Sequence, residues 1–261
     1  MVLKATLAAV LVATASSAVL RPVARDMEAP RAGESFLVTP WEAGSYTSKD
    51  YLMTVDDAWF RFEPAFPVTI YGKTSNVVWF SMNGVMSVDE PVYSKPTVPE
   101  RSLPVDPEKC GKGTGGCLPR NSVAVFWRDL TLAAIEHSGL FSFSIIFNYH
   151  GHDGNGISHY HVWWRVLDKA APTNSDPKNF KKGYREFGLT IWENKPGVFD
   201  ISHVFDATAE NMQGVMGAQS FEGSTPKFIH VPLSDVYAAG RKFCSLTIDT
   251  TSSSYNVTQV I

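Results

Sequence analysis

Leu140-Phe-Ser-Phe-Ser-Ile-Ile-Phe-Asn-Tyr149 sets the fold class. Phe141, Phe143, Ile145, Phe147 and Tyr149 recur with period two, while Ser142, Ser144 and Asn148 occupy the alternate positions. A helix would scatter these aromatics around its circumference. A half-buried strand gathers them on one face.

Working outward, Val77-Val-Trp-Phe-Ser-Met82 and Val85-Met-Ser-Val88 flank Asn83-Gly84. That dipeptide is suited to the two positive-φ positions of a type I′ turn. A two-residue loop would set Met82 opposite Val85 and Trp79 opposite Val88, each pair on one face. Further strands are expected at 67–71, 122–127, 159–166, 186–193, 198–205 and 214–219, with weaker signals at 228–231 and 244–248. Only 130–138 and 233–241 have the pattern of short helices. The longest loops fall at 89–121 and 168–184. The expected class is all-β: an antiparallel β-sandwich or partly open barrel with long loops. Trp59, Trp79, Trp127, Trp163, Trp164 and Trp192 read as strand residues, and core packing accounts for most of them.

The first residues have the order of a secretory signal. Lys4 supplies a positive charge, Ala5–Ala15 is apolar apart from Thr6 and Thr14, and Ser16-Ser-Ala18 offers small residues for cleavage. The run is too short to span a bilayer, which takes about 20 apolar residues. Residues 19–35 read as a linker or propeptide, 36–250 as one domain and 251–261 as a polar tail. The expected location is extracellular, with no membrane span. Net charge is −3, and loss of Lys4 with the leader makes the mature chain slightly more acidic. Such a chain lacks the basic footprint of a nucleic-acid binder.

The chain has three cysteines. Cys110 and Cys117 bracket Gly-Lys-Gly-Thr-Gly-Gly and are the expected disulfide in an oxidising compartment, although pairing of either with Cys244 is also open. Left over, Cys244 could join two chains as a homodimer. Asn256-Val257-Thr258 is an N-glycosylation sequon in the Ser/Thr-rich tail.

Several segments, in order, resemble the extracellular NIDO domain family named after nidogen. They are Asn76-Val-Val-Trp-Phe-Ser-Met-Asn-Gly-Val-Met-Ser-Val88, Ser122-Val-Ala-Val-Phe-Trp-Arg-Asp-Leu130, Tyr160-His-Val-Trp-Trp-Arg-Val166, Phe187-Gly-Leu-Thr-Ile-Trp-Glu-Asn194 with Val198-Phe-Asp-Ile-Ser-His-Val-Phe205, and Gly214-Val-Met-Gly-Ala-Gln219. The resemblance covers about residues 60–222. It implies an extracellular interaction or adhesion role, and it transfers no catalytic residues.

Four histidines, His150, His152, His159 and His161, fall around one hairpin tip. Converging neutral imidazoles bind zinc or copper. The bland alternative is a polar Gly-rich tip with solvated rings, and it is the better-supported one, so no cofactor is assigned. Asp153-Gly-Asn155-Gly has the flavour of a calcium loop but lacks the remaining ligands. Trp163 and Arg165 share the strand side of His159 and His161, a face suited to stacking a flat ring or a sugar. Asp129 follows Trp127-Arg128 at a strand end, as a cap or as a pocket residue.

No Gly-x-Ser-x-Gly elbow or phosphate-loop spacing is present. The expected function is a secreted, non-catalytic binding or adhesion module of the extracellular matrix or cell surface, with a protein or glycan partner. The competing reading is a secreted enzyme or accessory protein of a secreted metabolic pathway, with a pocket near His150–His161.

Overall fold

The computed structural model describes residues 35–37, 47–49, 52–56, 59–91, 102–109, 116–137, 140–143, 146–168, 184–204, 213–236 and 243–260. Among them the strands form antiparallel sheets of eleven, six and two strands. The larger sheet runs in the order Ser254–Val260, Phe243–Asp249, Val198–Val204, Tyr184–Trp192, Ser158–Asp168, Leu130–His137, Leu52–Asp56 and Thr47–Lys49. Ile146–His152, Leu140–Phe143 and Ser35–Leu37 pair off this path. The smaller sheet runs Lys227–Val231, Val215–Ser220, Ser122–Trp127, Val85–Ser87, Val78–Ser81 and Trp59–Phe62. The two sheets are therefore interleaved along the chain: the smaller takes strands from within 59–87, 122–127 and 215–231, and the larger takes strands from before, between and after these.

Helix among the described residues is limited to the single turns Pro107–Lys109 and Leu233–Val236. The all-β class is thus observed. No helix in the described residues is long and apolar enough to cross a membrane.

Period-two alternation makes the sandwich. Tyr160, Val162, Trp164, Val166, Phe187, Leu189, Ile191, Phe199 and Ile201 from the larger sheet share one core with Phe62, Val78, Phe80, Met86, Val123, Val125, Met216 and Ala218 from the smaller. Trp164 is fully buried and joins the layers: its indole Nε1 donates to the Ser81 carbonyl at 2.9 Å. The same ring stacks on Phe187 at 5.3 Å and meets Phe80 edge-on at 6.0 Å.

The smaller sheet is buried on its other face as well. Leu103, Val105 and Leu118, from within the expected 89–121 loop, pack with Trp59, Trp79, Val85, Ala124, Trp127 and Val215. Gln219 fastens this cladding. Its Oε1 accepts from Val105 N at 2.8 Å, and its Nε2 donates to the carbonyls of Val105 and Pro119 at 3.1 Å each. Burial on both sides explains why Ser122–Trp127 is buried throughout and shows little alternation.

The structure corrects the central hairpin by one residue. Ser81 pairs with Val85, Phe80 with Met86 and Trp79 with Ser87. Met82-Asn83-Gly84 is a three-residue connection in which Gly84 N donates to Ser81 O at 3.1 Å. Gly84 has φ +72°, whereas Asn83 is not in the positive-φ region, so the turn is not type I′. The type I′ signature falls instead at Tyr71-Gly72, with φ +49° and +87°, between Val68–Ile70 and Lys73–Ser75.

The reason lies in what holds the turn. Asn83 Oδ1 accepts from Leu130 N at 2.9 Å, and the Gly84 carbonyl accepts from Val125 and Phe126 at 2.9 and 3.1 Å. A Cβ on Gly84 would stand 2.3 Å from the Phe126 carbonyl oxygen. Gly84→Ala is therefore expected to lower stability by about 2–3 kcal/mol, from left-handed strain of about 1–2 kcal/mol plus displaced turn bonds. Urea titration checks this, and an unchanged midpoint would show that the turn is not clamped.

Other expectations shift too. Leu130–Ser138 is not helical: Leu130–His137 is a strand, paired with Leu52–Asp56, with Leu140–Phe143 and with the end of Ser158–Asp168. Sheet pairing with three neighbours overrides its Ala/Leu helix propensity. Leu140–Tyr149 divides into Leu140–Phe143 and a strand starting at Ile146; residues 144–145 lie outside the described set. The polar tail is the paired strand Ser254–Val260. Of 233–241, only Leu233–Val236 is helical among the described residues.

Cys117 is buried, and Cys110 lies outside the described residues, so their expected bridge stays an expectation. Cys244 carries a thiol that is fully buried in the sandwich core. The expected bridge between two chains through Cys244 would therefore require the core to open around the sulfur. The leader and most of the linker also lie outside the described residues.

Candidate binding face

Ser158–Asp168 positions the candidate site. Tyr160, Val162, Trp164 and Val166 point into the core, so alternation turns His159, His161 and Trp163 onto the opposite face, where each is half-buried. The neighbouring strands supply their partners. Trp192 lies opposite His159, Thr190 opposite His161 and Gly188 opposite Trp163. Asp200 then lies opposite Thr190, and Thr247 opposite Asp200. The result is a band of rings, hydroxyls and carboxylates across four strands.

Hydrogen bonds fix the rings. Trp163 Nε1 donates to Glu186 Oε1 at 2.8 Å, and Trp192 Nε1 donates to Asp200 Oδ2 at 2.7 Å. Thr247 donates from Oγ1 to the other Asp200 oxygen at 2.7 Å. The His161 Nδ1 and Thr190 Oγ1 atoms are 2.8 Å apart. The His161 ring lies 5.1 Å from Trp163, and His159 lies 4.8 Å from Trp192. Lys195 Nζ stands 5.1 Å from the Trp192 ring centroid, within cation–π reach.

Gly188 decides how Trp163 lies. A Cβ there would fall 2.1 Å from Trp163 Cε3 and 3.0 Å from His161 Cε1. The missing side chain lets the indole settle close over the sheet backbone, where it stays half-buried. Burial, and then the charge of neighbouring His159, lowers the His161 pKa below its ordinary value, which favours a neutral ring near neutrality.

His161 and Thr190 have the spacing of a base and a nucleophile. Thr190, however, is a mid-strand residue paired on both sides, so the ladder engages the backbone N–H groups that an oxyanion would need.

The structure divides the expected histidine cluster. His150 pairs with Tyr160 and His152 with Ser158, positions of opposite parity to His159 and His161. By register, two of the four histidines hold positions of this face's parity and the other two hold positions of the alternate parity. Among the described residues no group of three or more His, Cys, Asp or Glu is arranged to hold a metal ion. Asp153 Oδ1 accepts from the N–H groups of Asn155 and Ile157 at 2.8 and 2.9 Å. The tip is thus an Asp-capped turn, and these backbone bonds lower the carboxyl pKa.

Arg165 shares the parity of Trp163 and pairs with Glu186. Asp129 stands apart, in the link from Trp127 of the smaller sheet to Leu130 of the larger. Leu130 pairs with Asp168, at the far end of the strand from His159. Sequence reasoning missed Glu186, Gly188, Thr190 and Trp192 as a set, although their period-two spacing beside the Trp163 strand carries the signal. Asp200 and Thr247 depended on strand order, which no local pattern reveals.

No family model matches the chain, and no curated protein or solved structure shows significant similarity to it. The NIDO-like order of segments thus rests on its own residues.

Proposed function

We propose that this chain is a secreted, non-catalytic binding or adhesion module of the extracellular matrix or cell surface, and that its open face takes a glycan. The observation that carries the reading is Trp163, a half-buried indole set close over Gly188 on the face opposite the core. A pyranose offers a C–H face to such a ring and hydroxyls to the polar groups around it. His161, Thr190, Glu186 and Asp200 stand in that polar surround. The carboxylates also lock the indole N–H groups, so little ring freedom is lost on binding. The signal-like leader and the NIDO-like segments support an extracellular setting.

Screening the purified chain against immobilised oligosaccharides, followed by calorimetry on the best ligand, tests this. Trp163→Ala is expected to weaken binding about 30-fold, the effect of removing a roughly 2 kcal/mol aromatic anchor. Circular dichroism should be unchanged, because Trp163 lies outside the core. Saccharide binding that is indifferent to Trp163→Ala would sink the assignment. Capture of an extracellular protein at this face, with no saccharide bound, would replace the glycan by a protein partner.

A further inference from the structure

Ser254–Val260 ends the larger sheet. Among the described residues it pairs on one side only, with Phe243–Asp249, in an unbroken register from Asp249↔Ser254 to Phe243↔Val260. Such an edge templates another strand unless a charge, a proline, a bulge or a cover blunts it. Ser254-Tyr-Asn-Val-Thr-Gln-Val260 contains no charged residue, no proline and no glycine, and its ladder has no bulge. Uncharged, proline-free β-formers are the composition of strand-adding segments.

What the strand does carry, at its centre, is the sequon Asn256-Val257-Thr258. Asn256 and Thr258 are both exposed and share one side, with Asn256 Nδ2 donating to Thr258 Oγ1 at 3.3 Å. Asn256 pairs with Thr247, which bonds to Asp200, so it belongs to the open face and not to the core.

We propose that Asn256 carries an N-linked glycan that shields this edge from a second copy of the chain. The inference rests on the secreted reading, because the donor is an oligosaccharide diphosphate met in the secretory pathway. Asn256 Nδ2 forms a bond to the anomeric carbon. The bond from that carbon to the phosphate oxygen breaks, the diphosphate leaves with the electron pair, and the amide nitrogen releases one proton. The side chain rises from the sheet face, so the glycan leaves the ladder to Phe243–Asp249 intact while crowding the approach to the unpaired side. It also borders the binding face, four strand spacings from His161, roughly 19 Å at about 4.8 Å each.

The full chain, expressed with its own leader in eukaryotic secretory cells, provides the test. The exported protein is expected to lose mass on treatment with peptide N-glycosidase. Asn256→Gln and Thr258→Ala should abolish that shift, and Thr258→Ser should keep it. Light scattering should find the glycosylated chain monomeric and Asn256→Gln shifted to dimers and larger species. Asn256→Lys, sugar-free but charged, should return to monomer. An exported chain bare at Asn256, or an Asn256→Gln variant as monomeric as the parent, would overturn this proposal alone. Failure of the chain to leave the cell would overturn the secreted reading with it.

Discussion

Trp164→Ala is expected to lower unfolding stability by about 3–5 kcal/mol, the range for deleting a large aromatic from a close-packed core. Three contacts go together: the stack on Phe187, the edge contact with Phe80 and the hydrogen bond to the Ser81 carbonyl. The last spans the two sheets, so truncation removes the inter-sheet donor to the Ser81 carbonyl and leaves it the Gly84 N–H within its own turn. Trp164→Phe keeps a ring but not the donor, and should cost about 0.5–1.5 kcal/mol, the net worth of one hydrogen bond to an acceptor that Gly84 N still satisfies. Guanidinium unfolding followed by fluorescence and circular dichroism separates the two variants. A loss below about 1 kcal/mol for Trp164→Ala would mean that the sheets are not joined there, since ordinary surface substitutions stay within about 0.5 kcal/mol.

Stability is also expected to fall steeply with acid because of His203. Its ring is buried at the sheet interface, stacked on Phe187 at 5.6 Å and edge-on to Phe126 at 5.9 Å. Burial lowers its pKa to about 3, against the smaller opposing effect of a backbone hydrogen bond with Val125. The unfolded chain takes up this proton near pH 6.5, whereas the folded chain resists it until about pH 3. The unfolded state therefore binds more protons across that window, and stability rises with pH. The contribution is whole above pH 6.5 and declines by about 1.4 kcal/mol per unit below it, or about 2 kcal/mol by pH 5. His161 and His230 are shifted in the same direction, but both are partly exposed and contribute less. Denaturant midpoints at pH 7, 6 and 5 measure the slope. His203→Phe should flatten most of it, and a variant with the parent's slope would place the titration elsewhere.

The class of fold was legible because alternation is a local property. The boundaries at Ser122–Trp127 and Val198–Val204 followed from residues that each strand itself contains. Register in the central hairpin was not legible, because both faces of the smaller sheet are buried and apolar residues on either side give no polar edge to align. Asn83-Gly84 then favoured the wrong turn, because the bonds to Leu130 and Phe126 that settle it come from distant sequence. The site shows the same division. His159, His161 and Trp163 were readable as one strand side. The parity of His150 and His152 depended on the register across a turn, and Asp200 entered only through sheet order.

The interleaving of the two sheets has a consequence for synthesis. Ser122–Trp127 needs Val85–Ser87 on one flank and Val215–Ser220 on the other. A nascent chain has the first partner early and must wait for most of its length to emerge before it gains the second. Pairings this distant in sequence put folding toward the slow end for β proteins, about milliseconds to seconds after the last strand is released. During that delay, at about 5–20 residues per second of translation, the Trp79 and Trp127 surfaces are without their final neighbours. A ribosome-bound intermediate of this chain is thus a natural client for chaperones that grip aromatic segments, and slowing elongation would lengthen its exposure without helping it to fold.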